Sequence, residues 1–138
     1  MRNITEIIIH CSAVRPDQTS SARQIDRWHR ERGFRCIGYH YVIRRSGEVE
    51  TGRPISQAGA HTQGHNAHSI GICYEGGLDQ QGNPADTRTP QQKEAMSHLV
   101  RHLLTCFPGA TLHGHREFAA KACPCFDVAT IMQSPPSA

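Results

Sequence analysis

Hydrophobic positions along this chain switch between short unbroken runs and stripes of helical period, and each switch marks an element. Residues 4–10 end in Ile7-Ile8-Ile9-His10, a nearly continuous β-branched run, which suits a strand buried on both faces better than a half-exposed edge. His10 then stands at the strand's end. Ser20 and Ser21 can cap a helix over 22–32 that places Ala22, Ile25, Trp28 and His29 on one face, with Gly33 stopping it. Residues 39–43 and 48–51 flank the polar turn Arg45-Ser46-Gly47, a hairpin pattern in which Tyr39, Tyr41 and Ile43 share a face.

After a glycine- and histidine-rich connection over 58–66, a second apolar run over 69–74 predicts a central strand, ended by Gly76-Gly77. Thr89-Pro90-Gln91-Gln92 combines a cap, proline at the first helical position and the glutamine of a capping box. The helix predicted from there to Cys106 carries the stripe Ala95, Met96, Leu99, Val100, Leu103, Leu104 and Phe107, which should pack on the sheet until Pro108-Gly109 breaks it. Residues 110–115 read as a short strand, and Asp127 as the cap of a last helix through Met132. Strands alternating with helices predict an α/β fold, one domain with a central mixed β-sheet flanked by helices. That domain spans 1–133, with residues 134–138 as a flexible tail.

Length agrees with one domain, since 138 residues can bury a single core without disulfide staples. A net charge of +3 is too small to suggest nucleic-acid binding, although it would suit an anionic polymer. No stretch approaches the roughly 20 apolar residues of a membrane span, and Glu6 interrupts the first apolar run, so neither a transmembrane segment nor a signal peptide is read. The expectation is a chain made in the cytoplasm, monomeric, that reaches any outside target by a separate route. The 6 cysteines are dispersed and mostly in apolar contexts, and most read as reduced, buried thiols.

Ten histidines change the picture, because imidazole is the commonest metal ligand and proton carrier. His10 and His115 both fall at predicted strand ends, where sites gather in open α/β sheets. Cys123 and Cys125 follow as rival sulfur donors, with Lys121 just ahead. Two imidazoles and one thiolate are donors that Zn²⁺ prefers, and three protein ligands leave a position for water, the arrangement of a catalytic rather than a closed structural site. His61, His65, Asn66 and His68 lie in the loop connection, where binding groups are commonly presented.

Taken in order, Ile7-Ile8-Ile9-His10, Gly38-Tyr39-His40-Tyr41-Val42-Ile43, Gly59-Ala60-His61, Gly64-His65-Asn66, Ser69-Ile70-Gly71-Ile72 and His115…Lys121-Ala122-Cys123-Pro124…Phe126-Asp127 resemble the zinc-dependent N-acetylmuramoyl-L-alanine amidases of the phage-lysozyme and peptidoglycan-recognition type. The likeness runs over nearly the whole chain. It implies a zinc ion on His10, His115 and Cys123, the sulfur immediately before proline being the family's ligand, with Tyr39 and Lys121 catalytic. It also implies peptidoglycan as substrate and cleavage between N-acetylmuramic acid and L-alanine, lysing or remodelling the wall. His61 is expected to line the substrate groove, with Asn66 beside it. Two other readings compete. A binding module that has lost catalysis would lack a ligand, yet all the positions are filled; a zinc deaminase would need Pro-Cys-x-x-Cys, which Cys123-Pro124-Cys125 does not supply.

Overall fold

The apolar run over 69–74 is the middle strand of the sheet. In the computed structural model, which describes residues 2–133, β4 (Ser69–Tyr74) is buried at every position. It is flanked on one side by β1 (Glu6–Cys11) and on the other by β2 (Tyr41–Ile43), both parallel to it. Outside β1 lies β5 (Thr111–Gly114), also parallel; outside β2 lies β3 (Val49–Thr51), antiparallel across the hairpin. The sheet order is therefore β3-β2-β4-β1-β5, a mixed sheet as expected. The predicted tail, 134–138, lies outside the described residues.

Side-chain alternation along the strands divides the core in two. Ile7, Ile9, Ile70, Ile72 and Tyr74 point to one face, where α2 (Pro90–Cys106) covers them with Met96, Val100 and Leu103, and α3 (Ala129–Gln133) adds Ile131. On the other face Val42 and Cys73 meet Ile25 of α1 (Ala22–Glu31) together with Ile37 and Tyr39. Both long helices start where their sequences predict; Thr89 with Gln92 closes the expected capping box, and Ser21 closes another with Gln24.

Three expectations fail, each for a local reason. Tyr39 does not share a face with Tyr41 and Ile43; it packs with Val42 on the α1 side, because β2 begins only at Tyr41 and the preceding residues turn to let the His40 backbone N–H reach the Gly71 carbonyl at 2.9 Å. Trp28 is 37% exposed, since α1 presents only the narrow line Ile25–His29, set by the His29 Nδ1 that accepts from the Gly38 N–H at 2.9 Å. The cysteines are less uniformly buried than their contexts suggest: all are free thiols, but only Cys11 and Cys73 are buried, and Cys106 is exposed on α2.

Candidate active site and metal centre

Register brings the two distant histidines level. Ile9 of β1 pairs with Gly114 of β5, so the next residue on each strand path, His10 and His115, emerge side by side at the carboxyl ends of parallel strands, with ring centroids 4.5 Å apart. Cys123 joins them from the loop that follows: the ligating atoms of His10, His115 and Cys123 all lie within 4.8 Å of one another. Its sulfur accepts the backbone N–H of Cys11 at 3.2 Å. The loop carrying it is held from two sides. The Tyr74 hydroxyl, at the end of β4, donates to the Pro124 carbonyl at 2.7 Å, and the Arg88 guanidinium sits 3.4 Å above the Phe126 ring. Cys125, two residues on, instead faces the other side of β1, with its sulfur 3.9 Å from that of Cys11.

The other predicted residues ring this cluster. Tyr39 lies beside His10, centroids 5.1 Å apart, and Lys121 lines a groove of about 580 Å³ together with His115, Phe118, His61 and Asn66. That volume is in the range of small-molecule and oligomer-binding clefts. Arg32 and Phe34, past the end of α1, form the far side, a contribution with no mark in the sequence beyond their place after a helix stop. His61 does more than line the groove, because its Nδ1 lies 2.9 Å from His10 Nε2 and 3.0 Å from the Thr62 hydroxyl. Thr62, 2% exposed, also stands 3.3 Å from His10 Nε2 and was not singled out by sequence. Asn66 turns its Oδ1 inward to accept the His61 and Thr62 N–H groups, both at 2.9 Å, so it braces the loop as well as bordering the groove.

Two glycines make room for the His61 ring: a Cβ on Gly59 or Gly71 would meet it at 2.6 Å. The loop before it is fastened by Arg53, which is 8% exposed and donates to the carbonyls of Ile37 and Ala58 at 2.7 and 3.0 Å. His113, on β5, bonds Thr111 and Glu117 at 2.6 and 2.8 Å. His65 and His68 bond Glu6 at the opposite end of β1.

Electrostatics favour the unprotonated imidazoles that ligation requires. Burial holds His10 well below its ordinary value, reinforced by His61, His115 and Lys121, and burial with Lys121 lowers His115. His61 is pushed down to about 3, chiefly by burial. Burial raises the Tyr39 phenol well above its ordinary range, so it stays a neutral hydrogen-bond donor.

The α/β sheet thus brings two imidazoles and a thiol together at its carboxyl edge, beside a groove that His115 lines. Residues 1–126 match the family described as N-acetylmuramoyl-L-alanine amidase, and the chain belongs to that family. Among individual proteins it is 43% identical over 122 residues to the endolysin of Escherichia phage T7, covering 88% of this chain and 81% of that one. The solved structure of the amidase LysC from Clostridium intestinale superposes with a TM-score of 0.83 at 30% identity, over 96% of this chain and 85% of that one. Drosophila PGRP-LB superposes at 0.75 and 27% identity, over 90% of this chain and 76% of that one.

Proposed function

We propose that this chain is a zinc-dependent peptidoglycan amidase that hydrolyses the bond between the lactyl group of N-acetylmuramic acid and L-alanine, in the manner of a phage endolysin. The carrying observation is the convergence of His10, His115 and Cys123, of which His115 also lines the groove. The donor set fits zinc: imidazoles kept neutral chiefly by burial, a sulfur that takes a backbone N–H, and one of the imidazoles, His115, facing the groove. Zinc held there would supply Lewis acidity toward the scissile carbonyl and a lowered pKa for the attacking water.

The chain's own groups complete the chemistry. His10 has Nε2 engaged with His61 and Thr62, which leaves Nδ1 for the metal and fixes the ring's orientation, the usual task of an outer hydrogen bond to a ligating histidine. Lys121, exposed on the groove rim, brings a positive charge to the developing oxyanion. Tyr39, a neutral phenol beside His10, positions the carbonyl or passes a proton to the leaving amine. His61, Asn66, Arg32 and Phe118 form walls along which a glycan strand and its stem peptide can lie. The mild net charge of +3 suits an anionic polymer.

The test is digestion of purified peptidoglycan with analysis of new ends. Free L-alanine amino groups should appear without new reducing sugars, and chelator should abolish the reaction. New sugar ends would indicate a glycosidase and overturn the proposal. Lys121→Ala should retain zinc yet turn over slower by on the order of 10²–10³. Full activity in that variant would remove the lysine from the mechanism.

A further inference from the structure

The loop over 61–68 touches one face of β1 at two places. Glu6, Ile8 and His10 alternate with Ile7 and Ile9 and so share that face, with Glu6 and His10 about 13 Å apart by the rise of a strand. At the His10 end the loop delivers His61. At the Glu6 end the 3-10 turn Asn66–His68 and the residue before it deliver two more imidazoles: His65 Nδ1 lies 2.8 Å and His68 Nε2 3.0 Å from the same Glu6 oxygen.

We propose that Glu6, His65 and His68 form a second metal site, for a divalent cation of the zinc, cobalt or nickel class. The three ligating atoms lie within 4.8 Å of one another. Around an ion with bonds of about 2.0–2.1 Å, tetrahedral donors stand about 3.3 Å apart, so the 2.8 and 3.0 Å from Glu6 to the two imidazoles open by tenths of an ångström, while the two imidazole nitrogens, within 4.8 Å of each other, draw in by at most about 1.5 Å. Two imidazoles and one carboxylate match borderline cations rather than calcium or magnesium, which want oxygen. The ion would take the place of the hydrogen bonds to Glu6: each imidazole would coordinate through the nitrogen now facing the carboxylate and carry its single proton on the other ring nitrogen.

The cradle is held in advance. Phe118 stacks on the His65 ring at 3.9 Å and 26°. Thr5 donates its N–H to the His68 carbonyl at 2.9 Å, and Arg2 spreads its guanidinium over the carbonyls of Ile55, Asn66 and Ser69. These contacts occupy the Arg2 guanidinium. Side-chain exposures of 16%, 28% and 40% for Glu6, His65 and His68 leave the remaining coordination positions to water. Gln63, Gly64, Asn66 and Phe118 line the groove, so an ion here would fasten one of its walls to β1 without entering the chemistry at His10.

Metal counting tests this. Chelator-stripped protein is titrated with Zn²⁺ against a chromophoric competitor, and bound metal per chain is confirmed by elemental analysis. Unaltered protein should bind two equivalents; His68→Ala and Glu6→Gln should each bind one, as should Cys123→Ser, with circular dichroism confirming the fold. In the Cys123→Ser background added zinc should still raise the melting temperature, and His68→Ala should erase that rise. A single equivalent lost in Cys123→Ser but untouched by His68→Ala would overturn the second site and leave the proposed function standing. A single equivalent lost in His68→Ala but kept in Cys123→Ser would support the second site and sink the catalytic assignment. Two equivalents in His68→Ala and Glu6→Gln alike would also overturn it.

Discussion

Two thiols, Cys123 and Cys125, sit two residues apart in one loop, and the fold turns them toward different neighbours. Cys123 points at His10 and His115 and takes the Cys11 N–H, whereas Cys125, at φ 72°, turns to the far side of β1 against the Cys11 thiol. Burial first, and then Cys11, push the Cys125 thiol up to about 12, so it stays protonated at neutral pH. Cys123→Ser should therefore lose the zinc equivalent held with His10 and His115 together with wall-cleaving activity, while Cys125→Ser keeps most of both; elemental analysis and a turbidity assay read the two outcomes, and the reverse pattern would exchange their roles. His61 acts through His10. Removing such an outer partner typically costs 10–100-fold in metal affinity or activity. His61→Ala should fall in that range by competitive zinc titration, and unchanged affinity would reduce His61 to a groove wall.

At the scale of elements, α2 shows how much of the fold is legible and where legibility stops. Its start, end and buried stripe follow from Thr89, Pro90, Gln92 and the spacing of Met96, Val100 and Leu103, all local signals. Gln92 carries a second, non-local task that no local pattern reveals: wholly buried, it donates from Nε2 to the carbonyls of Ile43 and Glu75 at 3.1 and 2.9 Å, tying the helix to the ends of β2 and β4. Thr89→Ala should cost about 1 kcal/mol, the worth of a cap. Gln92→Ala removes the box and also a donor from two buried carbonyls, each worth about 1–3 kcal/mol when left unpaired, so its loss in denaturant unfolding should be distinctly larger. Equal losses would mean that water replaces the amide. The same divide runs through the site. His10, His115 and Cys123 were legible because strand ends and the family's motif mark them, while Tyr39's face, Thr62 and the pairing of His61 with His10 depend on a bend before β2 and a loop folded back over β1, which alternation cannot anticipate.

Across the whole molecule the buried imidazoles bias stability in one direction with pH. His10, His29, His40, His61 and His115 are all held below their ordinary value of 6.5, in every case chiefly by burial, with His29 at about 4 and His61 at about 3. A depressed folded-state pKa means that the unfolded chain binds the proton more readily, so stability is fully present above the unfolded value and is lost as pH falls below it. For this group the loss starts near pH 6.5 and continues toward pH 4 and then 3. Asp26, Glu75, Asp86 and Glu117 are lowered as well, held by backbone N–H groups or by arginine and histidine partners against burial where it opposes them, and act in the same direction at lower pH. In chelator-stripped protein the melting temperature should thus decline from pH 7 to pH 5, before the carboxylates titrate. Zinc should oppose the decline, because it binds only the neutral imidazoles and the folded arrangement of donors, and its effect should weaken as acid competes for the same nitrogens. A metal-free melting temperature that stays level from pH 7 to pH 5 would mean that these rings are already protonated or freely hydrated in the fold, and the buried, ligation-ready cluster at the end of β1 would have to be abandoned.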